Sequence, residues 1–282
     1  MPELPEVQCV VNTLKRITNK KIAEVTTLTK KLREPIQINL NDLLKDKEIK
    51  NIRRRGKFII FELNTGEIVS HLGMTGKFLI QEKLIDNKFN QVAIKFTDNS
   101  YLVYNDIRKF GFITYEEEPN TNKYIKKLGV EPLTIDFNGN ILYEMLSKSK
   151  ANIKQFLLDQ SIVVGLGNIY VIELLYICKI NPETKANTIT KEKASELVIE
   201  IKSILETAIK AGGSSISDYR DADDKLGSFQ NSHKIYGKKN DPLGHNIEII
   251  KQNGRSTYYC PICQTCWLSK QKSVKYQYTK FF

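Results

Sequence analysis

Proline stands at position 2, directly after Met1 and before Glu3, in the run Met1-Pro2-Glu3-Leu4-Pro5-Glu6-Val7. A small residue in second place permits removal of Met1, which would leave a secondary amine at the terminus with a carboxyl group beside it. Such an amine attacks a sugar aldehyde carbon to give an iminium, while the neighbouring carboxylate moves protons. The same residues also suit a purely structural role, the opening of a helix, where Pro costs nothing and acids match the dipole.

Three further groups carry chemistry. His71-Leu72-Gly73-Met74-Thr75-Gly76 lies between two strand patterns, and Asn105-Asp106-Ile107-Arg108-Lys109-Phe110-Gly111 forms a second such turn. Met74 and Phe110 are apolar side chains of the kind that enter a base stack, and Arg108 can address an orphaned base edge. Lys57 follows Arg53-Arg54-Arg55-Gly56, where a Lys at a glycine turn grips a phosphate as a point charge. Gly165 and Gly167 precede Asn168 between two apolar segments. That arrangement lets the backbone approach a ligand and offers helix-start N–H donors to a phosphate.

Near the C-terminus, Cys260-Pro261-Ile262-Cys263 supplies half of a structural zinc site, which needs four ligands. No second Cys-x-x-Cys lies upstream. The segment Asp241-Pro242-Leu243-Gly244-His245-Asn246 stands there instead, and His245 with Cys266 would complete an irregular three-Cys, one-His set. Zinc is left open on this reading, and no organic cofactor is expected.

The elements that must position these groups follow a simple order. Val7, Val10, Val11, Leu14 and Ile17 predict an amphipathic helix over about residues 5–17. Residues 57–63 and 67–72 read as a hairpin, and 76–81, 91–96, 101–104 and 111–115 continue the strands. Helices are expected at 141–146, 153–158, 168–178 and 191–211, the last stopped by Gly212-Gly213. The apolar stretch 162–180 is broken by Glu173 and Lys179 and reads as a buried helical hairpin rather than a membrane span. Residues 214–231 predict a mobile loop, and 233–236, 247–251 and 256–259 short strands. The expectation is therefore an α+β protein: a β-sandwich over 1–118, a helical domain with its loop over 119–231, and a small hairpin module with a tail over 232–282.

The 282 residues carry 43 Lys/Arg against 32 Asp/Glu, a net charge of +11. From Lys225 onward the only acids are Asp241 and Glu248, the footprint of a polyanion partner. No charged-then-apolar leader opens the chain, and the clustered thiols suit a reducing compartment, so a cytoplasmic protein without a membrane partner is expected.

Five ordered motifs, Met-Pro-Glu-Leu-Pro-Glu-Val, His-Leu-Gly-Met, Asp-Ile-Arg-Lys-Phe-Gly, Val-Gly-Leu-Gly-Asn-Ile-Tyr and Gly-Arg-Ser-Thr-Tyr-Tyr-Cys-Pro-Ile-Cys, resemble the bacterial formamidopyrimidine-DNA glycosylase family across residues 2–264. The resemblance implies a β-sandwich, a helix-two-turn-helix and an antiparallel zinc-finger-like hairpin. It implies a glycosylase and abasic-site lyase, acting as a monomer on double-stranded DNA that contains oxidised purines or abasic sites. It makes Pro2 the Schiff-base nucleophile and Glu3 its proton-transfer partner, supported by Glu6. Lys57, His71, Asn168 and Arg255 would hold phosphates, and Met74, Arg108 and Phe110 would fill the vacated stack. Residues 213–230 match a loop that folds over the everted base. Leu243 and Asn246 occupy the places of the family's first two zinc cysteines, leaving Cys260 and Cys263. Two rivals stay open: an oxidised-pyrimidine-preferring enzyme of the endonuclease VIII type, and a non-catalytic damaged-DNA-binding relative.

Overall fold

The computed structural model describes residues 2–215, 222 and 226–265. Those up to Leu128, joined by Glu206–Asn231, form one compact unit; Gly129–Leu205 and the described residues from Ser232 onward form another.

The first unit opens with helix α1 (Leu4–Leu14), extended by a 3-10 turn over Lys15–Ile17, as the periodicity predicts. Two four-stranded antiparallel sheets follow. One is ordered β1 (Ile22–Thr27), β6 (Asn90–Phe96), β7 (Tyr101–Asn105) and β5 (Lys77–Gln81). The other is ordered β2 (Ile49–Arg55), β3 (Phe58–Leu63), β4 (Glu67–His71) and β8 (Phe112–Glu116). A short helix, α2 (Leu40–Leu44), packs on β1.

Burial explains the continuous apolar run of β3. Its side chains alternate between faces, so Ile59, Phe61 and Leu63 enter the core shared by both sheets and α1. Phe58 and Ile60 join a second cluster with Val69, Phe112 and Ile125. The cations ahead of β3 are spent internally. Arg53 reaches Glu62, Glu67 and Asn120, Arg54 holds Gln8 and the Gly56 carbonyl, and Arg55 donates to the Leu128 carbonyl.

In the second unit α3 (Gly139–Ser147) begins at Asn138, whose side chain caps two backbone N–H groups. Helices α4 (Ile153–Leu158) and α5 (Asn168–Ile177) pack together. The link between them is a double turn, held where Gln160 accepts from Gly165 N–H and donates to the Leu158 and Leu166 carbonyls. The stretch 162–180 is thus one helix after an irregular turn, not the helical hairpin that its hydrophobicity suggests. Helix α5 is apolar on all sides except at Glu173, and Tyr170–Tyr176 are buried throughout. No helix among the described residues is long and apolar enough to cross a membrane. Helix α6 (Lys191–Lys210) stops at Gly212 and Gly213, both at positive φ (78° and 83°).

Residues 233–236 do not form the expected strand. The N–H groups of Lys234, Ile235 and Tyr236 donate instead to the buried Glu173 carboxylate at 2.7, 3.0 and 2.7 Å. The residue that interrupts the apolar stretch therefore gathers this loop. The chain closes with the hairpin β9 (Glu248–Gln252) and β10 (Arg255–Tyr259), turned by Asn253 and Gly254 at positive φ. Replacing Glu173 with Ala would leave three amides without their acceptor. Denaturant melts should show a loss of about 3 kcal/mol, and an unchanged midpoint would rule out this anchoring.

Candidate DNA-lesion site

The sequence-predicted residues fall into four groups, three in the first unit and one in the second. At the chain start Pro2 and Glu3 are buried, and Glu3 is the N-cap of α1. A capping box fixes it: Glu3 N–H donates to Glu6 Oε2 at 2.8 Å, and the Glu3 carboxylate accepts from Glu6 N–H. The other oxygen of Glu6 accepts from Ser214 N–H at 2.7 Å. One carboxylate thus joins the chain start to the foot of the loop that follows α6.

The loop's ends are built tightly. Ser215 N–H donates to Gln230 Oε1, Gly227 N–H to Ser215 Oγ, and Phe229 N–H to the Gly213 carbonyl. A side chain on Gly227 would strike the Gly212 and Gly213 carbonyls. The expected mobility of 214–231 and closure over a base concern mainly residues 216–221 and 223–225, which lie outside the described residues.

Lys57 and His71 form the second group. Lys57 is buried at the turn into β3, and His71 ends β4 opposite Phe58. Phe58 and Phe112 flank the imidazole, with ring centroids 4.9 and 6.1 Å away. Gly73 N–H donates to Nδ1 at 2.9 Å, which leaves the proton of the neutral ring on Nε2 as its donor. Burial pushes the His71 pKa down to about 3, and the charges of Lys57 and Arg33 push the same way. The imidazole is therefore a neutral hydrogen-bond donor.

Met74, Arg108 and Phe110 form the third group, exposed on two adjoining turns. Met74 and Phe110 keep 40% and 47% of their surface open, large for apolar side chains. The Arg108 guanidinium lies 4.6 Å from the Phe110 ring centre. With Arg33, His71 and Gly73, Met74 and Phe110 line an open cavity of about 350 Å³.

The fourth group lies in the second unit. Asn168 opens α5 and its Nδ2 donates to the Ser256 carbonyl at 3.1 Å, next to the exposed Arg255 that starts β10. Beside them is a cation that the sequence reading missed. Lys154 is buried, and its Nζ donates at 2.6 Å to Thr257 Oγ1. Burial lowers its pKa to about 8, helped by Arg255. Its only sequence signal was a lysine on the inward side of the short helix α4.

The cysteines have more company than half a ligand set. Asp241, His245, Cys260 and Cys263 bring their ligand atoms within 4.8 Å of one another. Cys263 Sγ is 3.2 Å from Asp241 Oδ2 and 3.4 Å from His245 Nδ1. Asp241 Oδ1 is occupied by the N–H groups of Leu243 and His245, which aims Oδ2 at the cluster. Leu243 points outward at 69% exposure, and Asn246 bonds Asn240. Leu243 and Asn246 thus look away, while Asp241 and His245, two and one residues earlier in the chain, turn inward. His245 was weighed in the sequence with Cys266, which lies outside the described residues; Asp241 was missed, because carboxylates are too common to mark a ligand. Two thiols, an imidazole nitrogen and a carboxylate oxygen at this spacing fit a tetrahedral zinc.

The family model for the formamidopyrimidine-DNA glycosylase N-terminal domain matches residues 1–113, and that for the H2TH domain of the same glycosylase matches residues 128–220. A formamidopyrimidine-DNA glycosylase of Wolbachia pipientis subsp. Culex pipiens is 42% identical over 270 residues, covering 94% of this chain and all of the relative. One from Legionella pneumophila is 38% identical over 94% of this chain and 98% of its own length. Among solved structures, Lactococcus lactis Fpg with DNA containing an abasic site superposes with a TM-score of 0.85 at 36% identity, covering 93% of this chain and 99% of that one. The same enzyme with DNA containing N7-benzyl-Fapy-dG gives 0.85 at 37% identity, covering 94% and 100%.

The neutral His71 has a measurable consequence. In an unfolded chain its imidazole titrates near 6.5. Below that pH the unfolded chain takes up a proton that the folded one refuses. Stability should therefore fall as pH drops from 6.5 toward about 3, by about 1.4 kcal/mol per pH unit from this group alone. Urea melts between pH of about 7 and about 4.5 should show a shallower decline for His71→Gln than for the parent. Equal slopes would mean that His71 is protonated in the folded protein.

Proposed function

Because this chain belongs to the formamidopyrimidine-DNA glycosylase family, enzymes of DNA repair that act on damaged bases, we propose that it excises oxidised purines such as 8-oxoguanine and formamidopyrimidines from double-stranded DNA and then cleaves the abasic strand. The observation that carries this reading is the fixed chain start: Pro2 precedes a Glu3 held by a capping box with Glu6. A terminus held in that way presents an imino nitrogen and a carboxylate together once Met1 is removed.

The Pro2 nitrogen attacks C1′ as the base leaves with its bonding pair and takes up a proton. Glu3 takes the proton that the new ammonium sheds and delivers it to O4′, so the nitrogen lone pair opens the sugar ring and the C1′–N bond becomes an iminium. That cation acidifies C2′. Loss of a C2′ proton expels the 3′ phosphate, and a second elimination expels the 5′ phosphate. Water releases Pro2 by hydrolysis. Stabilising the iminium and timing its protons are the enzyme's contribution.

The remaining groups take binding roles. A lesion must leave the stack before its C1′ can be reached, at a cost of a few kcal/mol. Lys57, the His71 Nε2–H, Asn168 and Arg255 are suited to gripping the flanking phosphates. Met74, Arg108 and Phe110 are suited to the gap left behind. The relatives crystallised with abasic-site and Fapy-dG DNA support the same class of substrate here.

Borohydride should trap a covalent adduct between protein lacking Met1 and an 8-oxoguanine duplex, mapped to the N-terminal peptide. Glu3→Gln should slow excision by about 10²- to 10⁴-fold. No adduct from a Met1-free chain would overturn the mechanism, and faster nicking of thymine-glycol than of 8-oxoguanine duplexes would reassign the substrate.

Zinc is proposed at Asp241, His245, Cys260 and Cys263. When bound it supplies a structural cross-link under the hairpin that carries Arg255. The purified chain should hold one zinc by mass spectrometry, with a chelator lowering Tm and Asp241→Ala lowering the metal content. A metal-free protein whose Tm ignores chelators would exclude the site.

A further inference from the structure

The two turns that present Met74, Arg108 and Phe110 are joined through a residue whose charge touches none of their tips. Asp106 is fully buried. Its Oδ1 accepts from the Thr75 hydroxyl at 2.6 Å and from Arg108 N–H at 3.2 Å, and its Oδ2 accepts from Gly111 N–H at 2.9 Å. The Thr75 oxygen in turn accepts from Arg108 N–H at 3.0 Å. One carboxylate and one hydroxyl therefore link the Met74 turn to both ends of the Arg108–Phe110 turn.

The backbones are also in direct contact. A Cβ on Gly73 would sit 2.5 Å from Gly111 N, and one on Gly111 would collide with the Tyr104 hydroxyl and the His71 carbonyl. Lys109 takes a left-handed φ of 55° between the two exposed side chains, a conformation that needs such support. From behind, Asp106 N–H donates to the Phe89 carbonyl, and Gln91 Nε2 donates to the Asp106 carbonyl at 3.0 Å. Every polar group of Asp106 is thus engaged in shaping the two turns.

We propose that Asp106 is a positioning residue that welds the two turns into one preformed wedge, so that Met74, Arg108 and Phe110 enter the base stack as a unit. The proposal rests on the glycosylase reading above. A wedge assembled beforehand spends no binding energy on ordering two loops, and that energy remains for unstacking the lesion. Neutralising Asp106 has a defined effect: in Asp106→Asn one acceptor oxygen becomes an NH₂ donor, which must face either Gly111 N–H or the Thr75 hydroxyl.

Two substrates separate this role from general stability. A lesion duplex requires the stack to be opened and filled, whereas a single-stranded abasic oligonucleotide offers the same C1′ with no stack to fill. Asp106→Asn should lower kcat/KM on an 8-oxoguanine duplex by about 10- to 100-fold, and the single-stranded reaction several-fold less. Saturating variant should also give a smaller change in the fluorescence of 2-aminopurine placed opposite an abasic site than the parent gives. Thr75→Val removes only the hydroxyl and should repeat both effects more weakly, so it decides the matter if Asp106→Asn does not fold. Equal losses on both substrates, or an undiminished 2-aminopurine response, would overturn the proposal. A parent protein that cleaves neither substrate would instead refute the glycosylase reading.

Discussion

Buried carboxylates that accept main-chain N–H groups are the constraint on which this structure depends. Glu6 takes the amides of Glu3 and Ser214, Asp106 those of Arg108 and Gly111, Glu173 those of Lys234, Ile235 and Tyr236, and Asp241 those of Leu243 and His245. Each set belongs to a segment outside the sheets and helices, where amides need other acceptors. A charged acceptor makes shorter and stronger bonds than a neutral one. It also suits a protein of net charge +11. The chemistry-bearing loops are thereby fixed from beneath by acids while presenting basic and apolar groups outward.

His71 follows the same logic with a different partner. Its ring is enclosed by Phe58 and Phe112, and its Nδ1 is occupied by the Gly73 amide. Burial and the nearby Lys57 and Arg33 charges deny it a proton. A neutral imidazole beside two cations adds a directional donor without adding a third repelling charge. In Arg108 and Phe110 the balance differs: both are exposed, and the cation rests on the ring face, where it orders the side chain at little desolvation cost.

The sequence makes much of this legible, and the exceptions have physical causes. Helix α1 follows its hydrophobic period, and strands β3 to β8 stand out as short segments between turn residues. Strands β1 and β2 do not, because each contains a register shift, between Ile22 and Glu24 and between Ile49 and Asn51. The extra residue spaces the buried positions three apart, Ile22 with Val25 and Ile49 with Ile52, which hides the alternation. The loop at 233–236 mimics a strand because its apolar residues pack inward while its amides go to Glu173, a partner 62 positions from Ile235. Pro2, Glu3, Met74, Arg108 and Phe110 stand out in the sequence because their types are unusual at a terminus or a turn. Asp106 and Lys154 were passed over because an acid or a lysine signals nothing until its burial is known.

The cysteine cluster shows how one loop can bring further donors to a pair of thiols. In the hairpin module the second pair is fixed by the knuckle: Cys263 N–H points at Cys260 Sγ, and Gln264 Oε1 accepts from Cys260 N–H. The first pair sits on a loop whose shape is set by Asp241 itself, through hydrogen bonds to the two following amides. A residue that already organises the turn has its remaining oxygen aimed inward, and His245 is turned toward it at 3.1 Å. Leu243 and Asn246 take no part in the cluster, while Asp241 and His245 of the same turn face the thiols. Tyr176 from α5 donates to the same Asp241 oxygen at 3.2 Å, which ties the cluster to the helix that begins at Asn168. The strand bearing Arg255 and the loop at Asp241 are therefore both tied to α5, by Asn168 on Ser256 and by Tyr176 on Asp241. That double attachment keeps Asn168 and the strand that begins at Arg255 in one frame whichever donors surround the thiols.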